Sequence, residues 1–160
     1  MSDGYGKLAD FGFSKNLISE SKETSTFCGT LLYVAPEIFQ KVSYSFPVDY
    51  LALGIMIDGM IEGITPFFSL ETTIIEQNMI NDDECPNTVS SGLPAILKGL
   101  LIKDPSKRFG YHDLESSDYY SSQYSLREIE KRASKCPLKM PIRSNPPEVS
   151  SSMQPTSITY

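Results

Sequence analysis

The residues with chemistry to offer are few and follow one another in a fixed order. They are Asp10 in Asp10-Phe11-Gly12, hydroxyls and a thiol in Thr26-Phe27-Cys28-Gly29-Thr30, Glu37 in Ala35-Pro36-Glu37, and Arg108 in Asp104-Pro105-Ser106-Lys107-Arg108-Phe109-Gly110. Each signature is weak alone: an isolated Asp-Phe-Gly is simply a turn after a strand. Asp49 opens an apolar stretch, where an acid is favoured by the positive end of a helix dipole. The thiols Cys28, Cys85 and Cys136 are odd in number, far apart and without a CxxC pair, and His112 is the only imidazole. A zinc site or a disulfide framework is therefore disfavoured. Reduced thiols fit a cytoplasmic protein.

The elements that must position these residues can be read from the spacing. Ser2-Asp3-Gly4-Tyr5-Gly6 before Lys7-Leu8-Ala9 reads as a hairpin turn and a short strand, because Asp-Gly supplies the positive φ that tight hairpins need. Residues 14–30 have neither helical nor strand period and read as a long loop, a length usually associated with function. Ala35-Pro36-Glu37-Ile38-Phe39 opens a helix with Pro in its first turn. Val48 to Glu62 is apolar on nearly every side, the pattern of a central helix. Leu70 to Ile80 reads as an amphipathic helix and 81–91 as a polar loop. Leu93 to Ile102 spaces apolar residues by three and four and stops at Asp104-Pro105. Leu126 to Ala133 reads as a short charged helix. From Ser134 on, Pro and Ser dominate, so 1–133 is expected to be the folded part and 134–160 a flexible tail.

Composition sets outer limits. The 160 residues carry 14 Lys+Arg against 20 Asp+Glu, a net charge of −6 with no basic cluster, which argues against a nucleic-acid or anionic-membrane binder. With 40% hydrophobic residues the chain can bury a real core. The most apolar stretch, Tyr50 to Phe68, contains Asp58 and Glu62 and is punctuated by glycines, so it reads as an interior helix rather than a membrane span. No signal peptide is visible at residues 1–6.

The ordered combination is what carries weight: Asp-Phe-Gly, a Ser/Thr-rich loop, Thr26-Phe27-Cys28-Gly29-Thr30, Tyr33-Val34-Ala35-Pro36-Glu37, a buried helix that opens with an acid, then Arg108. At this point the chain resembles the C-terminal lobe of a serine/threonine protein kinase of the AGC group. Lys7-Leu8-Ala9-Asp10-Phe11-Gly12-Phe13-Ser14-Lys15 looks closest to the cGMP- and cAMP-dependent kinases. The resemblance spans about residues 2–143 and is strongest up to 110. It implies a mainly α fold, a kinase C-lobe with a short N-terminal β-hairpin, lacking the N-lobe and the catalytic loop.

Residue by residue, the resemblance implies that Asp10, with Phe11 and Gly12, holds Mg²⁺ on ATP, and that Thr30 positions the substrate hydroxyl. Thr26 becomes the activation-loop phosphosite, with Lys15 as a basic partner. Phe27, Cys28, Gly29, Thr30, Leu31 and Val34 form the substrate loop. Glu37 and Arg108 form a buried structural ion pair, and Asp49 steadies the catalytic-loop backbone. The implied partners are a protein substrate and the missing N-lobe segment or a regulatory domain. There are departures too. No Gly-rich loop, strand lysine or HRD-to-Asn loop occurs in these residues, so the chain alone is expected to have little activity. An alternative is a kinase-derived, non-catalytic binding module or decoy. Where the family usually has Pro-Glu after Thr30, Leu31-Leu32 stands, and Gly59 replaces a second acid, which implies a weaker preference for basic substrates.

Overall fold

The structure is a computed structural model, and it describes residues 6–17, 23–81, 95–118, 128–129 and 131. Leu31–Tyr33 form a single 3-10 turn, followed by α1 (Pro36–Phe39), α2 (Pro47–Glu62), α3 (Thr72–Asn81), α4 (Ala95–Leu100) and α5 (Tyr111–Ser116). Pro36 and Pro47 stand in the first turns of α1 and α2, where a missing N–H costs nothing. Gly63, at φ 78, closes α2 by donating its N–H to the Gly59 carbonyl. The helices expected at 35–39 and 48–62 are present, and those expected at 70–80 and 93–102 appear as the somewhat shorter α3 and α4.

The architecture is mainly helical. Among the described residues the only β pairing is an antiparallel bridge between Thr24 and Tyr44. The turn of the expected hairpin lies outside the described residues, and Lys7–Ala9, read above as a strand, form none: Leu8 is exposed and the segment has no ladder partner. Period and turn chemistry mark a strand's readiness to pair, and pairing needs a neighbour. Only Glu128 and Ile129 of the expected 126–133 helix are described, and both are helical. The 81–91 loop, apart from Asn81, and the tail from 134 lie outside the described residues.

The core brings Val34, Ala35, Ile38 and Phe39 from the first segment against Leu51 and Ile55 of α2, Met79 of α3, and Leu97 and Leu101 from and after α4. Phe67 is fully buried among them. Helices α2 and α4 approach closely: a Cβ at Gly54 would come within 2.9 Å of the Leu100 Cβ. At Gly99 of α4 a Cβ would fall 2.3 Å from the Phe109 ring, while the Phe109 N–H donates to the Gly99 carbonyl. Backbone contact between these segments therefore depends on two positions without side chains. Burial on α2 is one-sided. Leu51, Ile55 and Asp58 are enclosed, whereas Met56, Met60 and Ile61 face outward. No described helix is long and apolar enough to cross a membrane.

Candidate functional site

Arg108 is the most completely bonded side chain described. Its Nη1 donates to Glu37 Oε1 at 2.7 Å and to the Pro47 carbonyl at 2.9 Å. Its Nη2 donates to Glu37 Oε2 at 3.1 Å and to the Lys103 carbonyl at 2.7 Å, and Nε reaches the Ile102 carbonyl at 2.7 Å. The planar guanidinium thus joins α1, the start of α2 and the segment after α4 in one buried, bidentate arrangement. Glu37 sits in the first turn of α1 and Arg108 sits 71 positions away. Only folding brings them together.

A second cluster holds the hydroxyl segment. Thr24 and Tyr44 exchange backbone hydrogen bonds of 2.9 and 2.8 Å, and the Tyr44 hydroxyl donates to the Thr26 carbonyl. Lys15 Nζ donates to the hydroxyls of Thr24, at 2.8 Å, and of Thr26. Lys15 and Thr26, eleven residues apart, are therefore in direct contact. Cys28 Sγ lies 3.8 Å from the Tyr44 hydroxyl and is a free thiol. Desolvation, reinforced by Cys28, pushes the Tyr44 phenol up to about 12. Sequence reading missed Tyr44, and only its place between two serines, off any apolar period, could have drawn attention to it.

The segment read as a substrate loop runs along the surface and then dives into the core. Phe27 is about half exposed, with its ring edge-on to Phe39 at 5.9 Å. Gly29 has φ 117, and a Cβ there would come within 3.3 Å of Val34. Thr30 precedes the 3-10 turn, and its carbonyl accepts the Tyr33 N–H at 2.8 Å while its side chain makes no capping bond. Leu31 packs partly against the core, and Val34 is buried.

Asp10 is exposed with φ 60, the left-handed region that Asp tolerates better than most residues. Its Oδ1 accepts the Gly12 N–H at 3.4 Å, and a Cβ at position 12 would sit 3.3 Å from that oxygen. Phe11 and Phe13 are exposed beside it. A single free carboxylate of this kind suits Mg²⁺, which takes one or two protein carboxylates together with phosphate oxygens and water. No described cluster of three or more His, Cys, Asp or Glu side chains supplies a complete protein cage. Asp49 lies in the first turn of α2, and partial burial raises its carboxyl above the ordinary value. The charge of Asp49 helps to raise the Tyr44 phenol, which puts Asp49 within electrostatic reach of the Thr26 cluster.

Asp58 has no place in the expected site, yet among the described residues it is the one carboxylate that is buried with neither oxygen hydrogen-bonded. It is fully enclosed in α2, and neither carboxylate oxygen has a hydrogen-bond partner. The Thr65 hydroxyl is likewise buried without one. Burial, and then the nearby charge of Glu62, raise the Asp58 carboxyl. Its signal in the sequence was a charge interrupting an apolar run.

Comparison with known proteins comes down to one family. The protein kinase domain pattern matches residues 1–120. The serine/threonine-protein kinase akt-1 of Caenorhabditis elegans is 40% identical over 109 residues, covering 68% of this chain and 20% of that protein. Sgk1 of Rattus norvegicus is 38% identical over 112 residues, covering 70% and 26%. Protein kinase C of Drosophila melanogaster is 35% identical over 149 residues, covering 90% and 20%. The chain spans about a fifth to a quarter of the length of these relatives.

Proposed function

The chain belongs to the protein kinase domain family, and from that premise we propose that it is part of the catalytic domain of a serine/threonine kinase, moving the terminal phosphoryl group of ATP to a protein hydroxyl. The observation that carries this reading is the match over residues 1–120, which takes in Asp10, Thr30, Glu37 and Arg108 in one stretch. The exposed carboxylate of Asp10, with one oxygen accepting the Gly12 N–H, supports a role as Mg²⁺ ligand on the nucleotide, and the metal would neutralise phosphate charge there. Thr30 orients the acceptor hydroxyl, Phe27 to Val34 hold the substrate chain, and Glu37 with Arg108 braces that segment against the helices. Asp49 steadies a neighbouring loop supplied from outside these residues.

Thr26 is the proposed phosphosite. A phosphate there adds nearly two negative charges beside Lys15, which already donates to the Thr26 hydroxyl. Mass spectrometry of protein from its own cell should find Thr26 modified, and an unmodified Thr26 under conditions of general phosphorylation overturns the assignment. The AGC relatives support that group. A closer tie to the cyclic-nucleotide-dependent branch rests on Lys7 to Lys15 alone. The folded unit is taken as 1–133 with a tail at 134–160, and the location as cytoplasmic, supported by the free Cys28 thiol.

These 160 residues carry no Gly-rich loop, paired lysine or HRD-to-Asn loop, so the chain alone should neither bind Mg-ATP at micromolar concentrations nor turn it over. Isothermal titration checks the first point. Joining the preceding part of an Sgk1 kinase domain to this chain should give a kinase that Asp10→Asn abolishes. A folded but inactive chimera, or one indifferent to Asp10→Asn, rejects the catalytic reading. The exposed Phe27 and Tyr33 favour a second role for the chain by itself, as a non-catalytic binding module.

A further inference from the structure

The segment that carries Thr26 is held chiefly by one tyrosine. Glu23, Ser25, Thr26 and Phe27 are exposed, and no helix runs through residues 23–30. Tyr44 bonds to this segment at three points. Its carbonyl accepts the Thr24 N–H at 2.9 Å, its N–H donates to the Thr24 carbonyl at 2.8 Å, and its hydroxyl donates to the Thr26 carbonyl. Phe27 adds an edge-on contact with Phe39. Tyr44 belongs to the connector between α1 and α2, which is fixed at both ends: the Val42 N–H donates to the Glu37 carbonyl at 3.2 Å, and the Pro47 carbonyl accepts Arg108 Nη1 at 2.9 Å. Its ring packs against the core. Burial, and then Cys28, push the phenol up to about 12, so at neutral pH it stays a donor.

We propose that Tyr44 is the positioning residue of the Thr26 phosphosite: its hydroxyl holds the backbone at 26 so that a phosphate there lies on Lys15, and the phosphate in turn tightens the segment onto the α1–α2 connector. The inference deepens the reading of Thr26 as a phosphosite and rests on it. Lys15 is exposed and already donates to the hydroxyls of both Thr24 and Thr26. An exposed ammonium is screened within a short distance, so it helps a phosphate only where the two are held together. Glu23, exposed beside Thr24, and Asp49, whose charge is felt at Tyr44, both oppose an added negative charge. Alignment with Lys15 therefore decides whether the phosphate orders the segment or drives it away. A bridge of one residue pair is too short to hold the segment alone, and that makes the hydroxyl bond the one whose loss shows.

The full chain with phosphothreonine installed at position 26, followed by phosphorus NMR through a pH titration, tests this. Its phosphate should lose the second proton below the ordinary value of about 6, which a free peptide of residues 23–30 supplies as reference, because Lys15 favours the dianion. Lys15→Gln should return the titration to the peptide's value. Tyr44→Phe, which keeps the ring, should move it about half of the way or more with the helical circular dichroism signal intact. A phosphate already titrating like the peptide in the unsubstituted chain overturns the Lys15 pairing and the proposal with it. A lowered titration that Tyr44→Phe leaves in place overturns the role of Tyr44 and leaves the phosphosite standing. A second measurement needs no substitution: phosphate at 26 should slow amide exchange at Tyr44, whose N–H is held by Thr24, by about threefold or more. Unchanged exchange there overturns the coupling even if Tyr44→Phe does not fold.

Discussion

Arg108 shows how much one side chain can settle. All of its donor groups are used, on Glu37 and on three backbone carbonyls, Pro47 at the start of α2 and the adjacent Ile102 and Lys103 after α4. Arg108→Ala leaves the Glu37 carboxylate buried and unpaired and should cost about 3–5 kcal/mol in denaturant unfolding. Arg108→Lys keeps the charge but cannot reproduce the fork and should recover only part of that loss. Asp58 is the opposite case, a charge without a partner. Its folded pKa is raised from 3.8, so the native state holds its proton longer than the unfolded chain does. This group's contribution to stability therefore declines as pH rises from near 3.8 through the folded value. Asp58→Leu should remove that decline and gain about 1–3 kcal/mol at neutral pH. Equal pH profiles for the two proteins would show that Asp58 finds a partner in solution. The chain signalled Arg108 by its motif, with Glu37 as the partner the resemblance implied, and Asp58 by its misfit alone, with no partner indicated.

At the scale of elements, close approach replaces side-chain bulk. Gly99→Ala drives a methyl into the Phe109 ring, because the space between them is already filled, and should cost about 1–3 kcal/mol. It should also loosen the segment that carries Arg108, seen as faster amide exchange at Phe109, whose N–H is held by the Gly99 carbonyl. The helix boundaries were legible because Pro36, Pro47 and Gly63 punctuate them. The 3-10 turn at Leu31–Tyr33 and the helix at Tyr111–Ser116 were not. The first is too short to show a period. The second is built on local bonding, with Asp113 Oδ2 accepting the Gly110 N–H at 2.9 Å, and it buries no residue.

Over the described part of the molecule, the outward face of α2 and the residues that follow it are a liability. Met60 is 73% exposed and Ile61 57%, with Met56, Ile64, Phe68 and Leu70 also open to solvent. Apolar surface of this kind promotes association. The chain should bind a hydrophobic dye and sediment with concentration-dependent mass, and Met60→Glu with Ile61→Lys should reduce both signals. Dye binding unchanged by these substitutions would place the adhesive surface elsewhere. The same exposure explains why α2 read as central although only one side of it is covered here: hydropathy reports what a helix is suited to bury, and coverage depends on which neighbours are present.

The amino-acid string by itself determined the order of signatures, the punctuation of the main helices and the mainly helical class, since periodicity and turn chemistry are local properties. It also supplied Asp10, Thr26 and Arg108 as residues worth attention. The pairing of Lys15 with Thr26 was an expectation of the resemblance; tertiary structure alone decided that Lys15 also reaches Thr24, that Tyr44 clamps the same segment, that Arg108 spans three elements, and that Asp58 lies sealed without a hydrogen-bond partner. Those outcomes depend on where distant segments come to rest, and on the water excluded when they do.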